Sequence, residues 1–446
     1  MRIMRIQLSD HFTYKKLLRF VLSPILMMVF MSIYGVIDGL FISNYVGKTA
    51  FAAINLIMPV MMIMGSIGFM IGTGGTAIVS RLLGEGDNEH ANRYFSLFIF
   101  VTLSGGIIFA AVGEVLMPYI PRWLNCTDEM YDYCVLYGRI FLAAIPFFML
   151  QNVFQAFFTT AEKPMLGFIV TAIAGCSNIL LDGVLVGALS TGVWGAALAT
   201  AASQLIGSVL PIIYFARKNN SLLRLGKPKF SGKILLHACT NGSSEFVNNV
   251  SSSIVSIVFN YQLLRIAGEN GVSAYGVLMY VNFIYIAIFI GYAIGTAPLI
   301  GYNYGAGNRE ELKNIFKKSM VLMAIFGVLM TALAIGLAIP ISKLFVGSDA
   351  ELCRMTVNAF YICSFLFMFA VFSIFCSSMF TAFGNGLISA LISFLRTIVF
   401  QIAAVMVLPI FFGLAGVWFS TLLSDILAMA TSFIFVLVKR KKYGYI

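Results

Sequence analysis

Long runs of apolar residues alternate with short polar segments along almost the whole chain of 446 residues. A helix needs roughly 20 mostly apolar residues to cross a bilayer. Twelve runs meet this requirement, at 17–43, 51–80, 94–118, 133–160, 165–188, 193–216, 234–264, 273–301, 314–341, 355–381, 387–411 and 415–438. The pattern therefore predicts an all-α integral membrane protein with twelve transmembrane helices.

Composition and charge support this prediction. The chain is 60% hydrophobic and only 11% charged, which is typical of a multi-pass membrane protein. A net charge of +11 could indicate a nucleic-acid partner. If the N-terminus is inside the cell, however, only six of the 29 Lys and Arg residues fall in external segments, namely Lys48, Arg122, Arg139, Arg265, Lys343 and Arg354. Internal loops carry the excess of basic residues in membrane proteins. The charge thus predicts topology, with both termini cytoplasmic, and no nucleic-acid partner.

The cysteines give little information about structure or function. The seven cysteines show no CxxC and no spacing typical of metal ligands. Cys126 and Cys134 share a predicted external loop and could pair, but nothing else indicates a disulfide framework. The first apolar run is too long for a cleavable signal peptide and lacks a small-residue cleavage site.

The chain contains an internal repeat. GEGDNE at 84–89 matches GAGNRE at 305–310, an offset of 221 that persists without a gap over about 150 residues. The same offset pairs Gly47 with Gly268, Asp128 with Asp349, Thr160-Ala161 with Thr381-Ala382, and Gly192 with Gly413. Each half holds six spans, so both halves enter the membrane in the same direction. We expect two six-helix bundles related by a pseudo-two-fold axis: an N-terminal lobe 1–216, a cytoplasmic linker 217–233, and a C-terminal lobe with a cytoplasmic tail 234–446.

Acidic residues inside a span are costly and usually functional. Asp38 lies in the first span, and Asn178 and Asp182 lie four residues apart on the fifth, which places them on one helix face. Thr200 in the sixth span could add a hydroxyl group. Two carboxylates, an amide and a hydroxyl suit Na⁺ or a shared proton. The alternative is that both acids stay protonated and only bond neighbouring helices.

The repeat favours a functional role for this set. The offset pairs Asp38 with Phe259, less securely because the register slips before Gly47, and Asp182 with Ala403. It also pairs Asn178 with Val399 and Thr200 with Thr421. If the acids only supported the fold, both halves would need them. We therefore predict a cation-coupling site in the first half.

Other polar residues inside the spans are less informative. Glu245 in NGSSEF could attract cationic substrates, or it could be solvated near the membrane interface. Gln151 and Gln155 share one face of the fourth span and are candidates for the substrate cavity.

Three further residues carry weaker predictions. Asp425 follows Thr421 by four residues, which suggests a cavity-facing or packing role. Arg396 is expected to anchor its helix by extending toward the inner interface. Pro24 removes a backbone hydrogen bond from the first helix and could be a hinge or a static kink.

Several of these features resemble the multidrug and toxic compound extrusion (MATE) family. They are the two six-helix halves, Asp38 before GLFISNYVG, the GEGD and GAGN loops, and the basic linker. Glu245 and the chain length look like the MepA-type branch. The resemblance implies drug export in exchange for inward Na⁺ or H⁺, without a cofactor. It also implies a cation site at Asp38, Asn178, Asp182 and Thr200. Some relatives carry an additional acid in span ten, but 355–381 has none, so a cation site in the second half is in doubt.

The sequence therefore predicts a monomeric secondary antiporter that exports lipophilic, often cationic drugs and contacts membrane lipid. The alternative is a flippase for polyprenyl-linked lipid precursors, which would need a basic cavity able to hold a pyrophosphate. An enzyme or ATP-driven pump is not expected. The histidines lie at or near predicted cytoplasmic ends (His11, His90 and His237), no nucleophile–base arrangement is visible, and no Walker A sequence occurs. The identity of the coupling ion and the range of drugs stay open.

Overall fold

The computed structural model describes residues 6–124, 126–347 and 349–445. The described residues form helices and no strands. The α-helices are α1 (Tyr14–Phe41), α2 (Lys48–Gly84), α3 (Asn88–Leu116), α4 (Ile120–Trp123), α5 (Asp128–Thr160), α6 (Pro164–Asp182), α7 (Val193–Ala216), α8 (Gly232–Asn241), α9 (Ser243–Gly305), α10 (Arg309–Val346), α11 (Ala350–Cys363), α12 (Phe367–Ala382), α13 (Gly386–Phe394) and α14 (Gln401–Tyr443). Three π-turns (Ile42–Val46, Gly183–Ala188, Leu395–Phe400) and one 3₁₀ turn (Ser364–Leu366) connect some of them.

Twelve membrane-spanning segments can be distinguished in the described residues. Ten helical stretches are long and apolar enough to cross a bilayer. Two of them, α9 and the stretch ending with α14, contain an internal glycine with non-helical angles, Gly268 at φ 61° and Gly413 at φ 55°. Each glycine divides its stretch into two spans. Only glycine adopts such angles readily. The prediction of an all-α protein with twelve spans in two six-helix bundles is confirmed.

The seventh span begins later than the sequence predicts. Residues 232–241 form the separate helix α8, and the membrane helix α9 starts at Ser243, not at residue 234. The break is at Gly242, whose Cα faces the Met70 carbonyl and the Gly74 amide of α2 so closely that no side chain fits. This contact stops α8 and redirects the chain. The lobe boundaries themselves stay a prediction.

Matching turns support the internal repeat. Gly86 and Gly307 both have positive φ, 83° and 69°, in the turns that follow α2 and α9. After them, Asp87 accepts a hydrogen bond from the His90 amide, as Asn308 does from the Glu311 amide. The offset of 221 therefore holds here, as it does for the positive-φ pairs Gly47 with Gly268 and Gly192 with Gly413.

Along α5 the offset is 222 instead of 221. Helix α5 follows Thr127, and α11 follows Asp349. At the other end of the segment, the Thr159 carbonyl accepts from the Glu162 amide as the Thr381 carbonyl accepts from the Gly384 amide. The predicted pairs Asp128–Asp349 and Thr160–Thr381 were thus wrong by one residue. Such a shift moves the equivalent of Asp182 from Ala403 to Ala404. Neither is acidic, so the acid pair is still confined to the first half.

The two halves meet through small residues at one end of the bundle. This basic end contains the N-terminal segment 6–13, the turns after α2 and α9, the linker and the C-terminus. Glycines there approach the backbone of the other half, as seen in the pairs Gly74–Ala238, Gly242–Met70, Gly84–Tyr302 and Gly305–Arg81. Because lipid is as apolar as the helices, such close backbone packing is what holds membrane helices together.

Helix α1 is shared between the two halves. Its first part packs into the core of the second half through Leu17, Phe20 and Val21. Farther along, Phe30 and Tyr34 pack against α6 of the first half. Although the sequence assigns residues 1–216 to the first lobe, the start of α1 is part of the second-half core.

The segment before α1 also contacts both halves. The Leu8 amide donates to the Glu162 carboxylate at 2.9 Å, and the Phe12 amide donates to the Glu311 carboxylate at 2.9 Å. Leu8 and Phe12 are fully buried. Glu162 follows α5 and Glu311 lies in α10, so the segment links the halves at the basic end.

Cys126 and Cys134, the two cysteines that could pair, are close but form no disulfide. The Cys126 and Cys134 sulfur atoms are 3.6 Å apart, and both residues are free thiols.

We expect Gly74→Val to separate α2 from α8, because the Ala238 carbonyl occupies the space of any added side chain. Overpacking of this kind costs about 1–3 kcal/mol. Thermal unfolding in detergent should show a lower melting temperature. The control is Gly105→Val in α3, where an added Cβ meets nothing within 4 Å. Equal melting temperatures for the two variants would contradict this account of the interface.

Candidate cation site

The candidate site exists because α1 and α6 approach each other closely. Gly175 of α6 has no side chain, and an added Cβ would lie 2.5 Å from the Phe30 ring and 2.9 Å from the Tyr34 ring. Phe30, Tyr34 and Asp38 are spaced by four residues and share one face of α1. Asp38 therefore faces α6 one turn beyond this contact, beside Asn178 and Asp182.

The structure brings three of the predicted residues together. The carboxyl groups of Asp38 and Asp182 are neighbours, and the Asn178 side chain lies next to Asp38. Asp182 is 0% exposed and Asn178 is 1% exposed. Both α1 and α6 pass into π-turns a few residues later. Such turns occur frequently at functional sites.

Thr200 contributes from α7, together with a residue that sequence reasoning missed. The Tyr137 hydroxyl of α5 lies close to the Thr200 hydroxyl and to both carboxyl groups, and Tyr137 is fully buried. Neither hydroxyl has a hydrogen-bond partner of good geometry among the described residues. A tyrosine in an apolar span gives no sequence signal, since most such residues only pack.

The electrostatics of the site favour a bound cation or proton. Among the described residues, neither Asp38 nor Asp182 forms an ion pair with a basic side chain. Buried oxygens without a hydrogen-bond partner are Asp38 Oδ1, Asp182 Oδ1 and Oδ2, Asn178 Oδ1 and Thr200 Oγ1. Two adjacent carboxylates in an apolar interior repel each other. A proton or a small cation bound between these hard oxygen donors relieves that repulsion.

Glu245 lies in the first turn of α9, three residues after Gly242, which contacts Met70 of α2. Its side chain is half-buried. No hydrogen bond to its carboxylate is formed by any described residue; Asn249 donates only to its backbone carbonyl, at 2.9 Å. Glu245 thus stands next to the place where the two halves join, with its charge unpaired.

Gln151 and Gln155 lie inside the first half. Each is 4% exposed. The Gln151 amide packs on Gly207 of α7, and the Gln155 Nε2 atom lies 3.0 Å from the Met31 sulfur of α1. Their assignment to a substrate cavity stays a prediction.

Comparison with known proteins identifies the family. The family model for MatE matches twice, over residues 24–184 and 246–407, one match in each half and together most of the chain. The chain belongs to the MatE family. This confirms the family resemblance, and the double match agrees with the internal repeat.

Curated relatives of this MATE protein are exporters by name. Multidrug export protein MepA of Staphylococcus haemolyticus is 27% identical over 421 residues, which cover 92% of this chain and 90% of the relative. MepA of Staphylococcus aureus strain MRSA252 is 24% identical over 438 residues, covering 96% and 94%. These relatives support a multidrug exporter family, and they give no support to the flippase alternative.

Solved structures confirm the MATE fold. A structure described as the outward-facing conformation of a multidrug resistance MATE family transporter superposes with a TM-score of 0.93. It is 21% identical, and the superposition covers 100% of both chains. At this identity the similarity establishes the fold.

Pro24 lies where α1 of this MATE protein passes from one half to the other. An added Cβ at Gly291 of α9 would lie 2.5 Å from the Ile25 Cα atom and 2.8 Å from the Pro24 carbonyl oxygen. The helix is continuous from Tyr14 to Phe41. The hinge role stays a prediction.

Arg396 is paired inside the second half, so its predicted role as an interfacial anchor was wrong. Its Nε atom donates to Asp425 Oδ1 at 2.8 Å, with the side chains 19% and 8% exposed. Arg396 is ten residues into its span, which begins at Gly386, or about 15 Å along the helix. At that depth an ion pair with Asp425 is more favourable than an unpaired guanidinium.

We expect Asp425→Asn to destabilise the protein by about 3–5 kcal/mol, because it leaves the Arg396 charge unpaired in an apolar setting. The double variant Arg396→Gln/Asp425→Asn removes both charges and should recover most of the loss. Thermal unfolding in detergent measures both effects. If the double variant is less stable than Asp425→Asn, the ion pair does not account for the contribution of Asp425 to stability.

Proposed function

We propose that the protein is a secondary active antiporter of a bacterial cytoplasmic membrane. It exports lipophilic, often cationic compounds in exchange for inward H⁺ or Na⁺ and uses no cofactor. The observation that carries this proposal is the Asp38–Asp182 pair, two carboxyl groups within reach of each other and without a basic partner among the described residues. Such a pair changes charge only by binding or releasing a cation.

Asp38, Asn178, Asp182 and Thr200 would hold the coupling ion. A proton shared by the two carboxyl groups, or Na⁺ between their oxygens, removes the repulsion across the α1–α6 contact. Release of the ion restores that repulsion. Occupancy of the site therefore changes how tightly α1 and α6 pack.

Helix α1 can transmit this change. Its later part carries Asp38 and packs on α6, while Leu17 and Phe20 in its earlier part are in the core of the second half. Pro24 separates the two parts and lacks the amide hydrogen that would stiffen the helix there. Ion binding at Asp38 thus favours one arrangement of the halves over another. Antiport requires only that ion and drug prefer different arrangements.

Glu245 is the residue we assign to cation attraction in the cargo path. Its half-buried carboxylate stands at the junction of the halves. A lipophilic cation that enters between the halves would gain an ion pair there without displacing a basic side chain.

The distribution of basic residues supports cytoplasmic termini. The N-terminal segment, the linker, the neighbouring helix ends and the C-terminal tail together carry most of the Lys and Arg residues, as internal segments do. Arg2 and Arg5 also belong to the basic N-terminal segment of the sequence, and they lie outside the described residues.

Asp38→Asn and Asp182→Asn should each lower dye export at least about tenfold, because an amide neither exchanges a proton nor supplies a negative charge to Na⁺. The measurement is efflux of a cationic dye from proteoliposomes with imposed Na⁺ or H⁺ gradients. Comparing the two gradients also identifies the coupling ion.

The control for this experiment is Asp128→Asn, which removes an exposed carboxylate at the start of α5. It should export dye at the wild-type rate. Wild-type export by both site variants would overturn the assignment of Asp38 and Asp182.

Pro24→Ala tests the hinge. Alanine restores the missing amide, so the variant should fold at least as stably as the wild type while exporting dye several-fold more slowly. Pro59→Ala in α2 is the matched control, because it also removes a proline from inside a helix. Equal export rates for the two variants would indicate a static kink at Pro24.

A further inference from the structure

Two thiols are in contact at the end of the first half that lies opposite the basic end. Cys126 stands in the connection between α3 and α5, and Cys134 lies in the second turn of α5. Their sulfur atoms are 3.6 Å apart, and both residues are free thiols. Neither residue belongs to the candidate cation site or to the contact between the halves at the basic end, so their proximity calls for its own explanation.

The connection between α3 and α5 is held along the first turns of α5. The Tyr131 hydroxyl donates to the Pro118 carbonyl at 3.0 Å, and the Arg122 guanidinium carbon lies 5.3 Å from the centre of the Tyr131 ring. The Cys126 amide donates to the Pro121 carbonyl at 2.9 Å. These contacts hold Cys126 against α5 without any bond between the two sulfur atoms.

Each thiol has a carbonyl acceptor within reach. The Cys126 sulfur lies 3.4 Å from the Thr127 carbonyl oxygen, and the Cys134 sulfur lies 3.3 Å from the Ala53 carbonyl oxygen of α2. When both thiol protons are donated to these carbonyls, the sulfur atoms face each other in van der Waals contact. A disulfide bond is about 2.05 Å long, so the sulfur atoms must approach by about 1.5 Å to form one.

The second half has hydroxyl groups in place of these thiols. With the offset of 222 that applies along α5, Cys126 corresponds to Ser348 and Cys134 to Thr356. Thr356, the one of these two that lies within the described residues, is fully buried, and its hydroxyl donates to the Leu352 carbonyl at 2.8 Å. A small side chain without sulfur therefore fills this place in the repeated fold. Packing alone does not require thiols here, and what thiols add is oxidation to a disulfide.

We propose that Cys126 and Cys134 form a redox-sensitive pair, which an external disulfide converts into an intramolecular disulfide that slows export. The pair lies at the outer end of the protein in the proposed orientation, on the side of the membrane where disulfides form and persist. The effect on export rests on the proposed antiport function, whereas the formation of the disulfide does not.

The oxidation proceeds by thiol–disulfide exchange. Cys126 is half-buried and is the thiol that an external disulfide reaches, whereas Cys134 is fully buried. The Cys126 thiolate attacks one sulfur of a small disulfide RSSR, forms a mixed disulfide and releases RS⁻. Cys134 then attacks the Cys126 sulfur and releases the second RS⁻. The two thiol protons pass to the leaving groups, so two protein thiols and RSSR give one protein disulfide and two RSH.

The new bond acts on the candidate cation site through α5. It draws the Cys134 sulfur toward Cys126 and removes the proton that this sulfur donates to Ala53 of α2. Tyr137 follows Cys134 by three residues, about 4.5 Å along the axis of α5. The Tyr137 hydroxyl lies close to both carboxyl groups of the site. A displaced outer turn of α5 therefore changes the surroundings of the bound ion.

Disulfide formation is tested on the purified full-length protein with oxidised glutathione as the probe. Remaining thiols are alkylated, and peptides are analysed by mass spectrometry with and without a reductant. We expect the Cys126–Cys134 disulfide to form at least about tenfold faster than any adduct on the buried Cys376. Cys353, half-buried near the start of α11, is the matched reference and should give only a mixed disulfide with glutathione. If Cys126 and Cys134 stay reduced under conditions that modify Cys353, the proposal is overturned.

Single variants test the order of attack. Cys134→Ser should retain a stable mixed disulfide between Cys126 and glutathione, because the second thiol is absent. Cys126→Ser should leave Cys134 unmodified, because the probe does not reach a fully buried thiol. Rapid modification of Cys134 in the Cys126→Ser variant would contradict the assignment of Cys126 as the entry point.

The effect on export is measured as dye efflux from proteoliposomes before and after oxidation with glutathione. The oxidised wild type should export dye several-fold more slowly than the reduced wild type, and a reductant should restore the rate. The control Cys126→Ser should export dye equally fast before and after the same treatment. Equal rates for the oxidised and reduced wild type would overturn the effect on export. Absence of export by the reduced wild type under either gradient would contradict the proposed antiport and the effect on export together, while the disulfide is judged by mass spectrometry alone.

Discussion

The constraint on which the rest of the structure depends is the pairing of two carboxyl groups in an apolar interior. Asp38 and Asp182 come from different helices, and Gly175 allows those helices to approach closely enough for the carboxyl groups to meet. An isolated charge in this setting is costly, and two like charges are costlier. In the proposed mechanism, the packing of α1 on α6 is therefore coupled to the occupancy of this site.

This coupling reaches the second half because helix α1 packs in both bundles. The start of α1 belongs to the core of one half and its end to the other. A structural change at Asp38 is therefore transmitted along a continuous helix and not through a loop. The two repeats also differ in their buried charges. The second half has hydrophobic residues in place of the acid pair, and its buried Asp425 is paired with Arg396.

Much of this arrangement could be predicted from the sequence. Twelve apolar runs are long enough to be unambiguous, and the spacing of Asn178 and Asp182 places both on one face. The approach of Asp38 to them was inferred from residue type and family resemblance. The separate helix α8 was not predicted, although the polar segment TNGSSE at 240–245 contains Asn-Gly, a turn signal; in the structure the contact of Gly242 with Met70 fixes the break. The ion pair of Arg396 and the proximity of Tyr137 to the cation site could not be predicted either. Both depend on how the helices pack, which the hydrophobic periodicity of the sequence does not determine.

The segment before α1 has a consequence for the energetics of any rearrangement. Leu8 and Phe12 are bonded through their amides to carboxylates on opposite bundles, Glu162 and Glu311, and the Phe12 carbonyl also accepts from the Lys318 ammonium at 2.6 Å. Hydrogen bonds to charged groups contribute about 1.5–3 kcal/mol each. Separation of the bundles at this end requires segment 6–13 to release one of them first. Segment 6–13 therefore fastens the two bundles together at this end, and in the proposed mechanism its bonds add to the free energy needed to separate them.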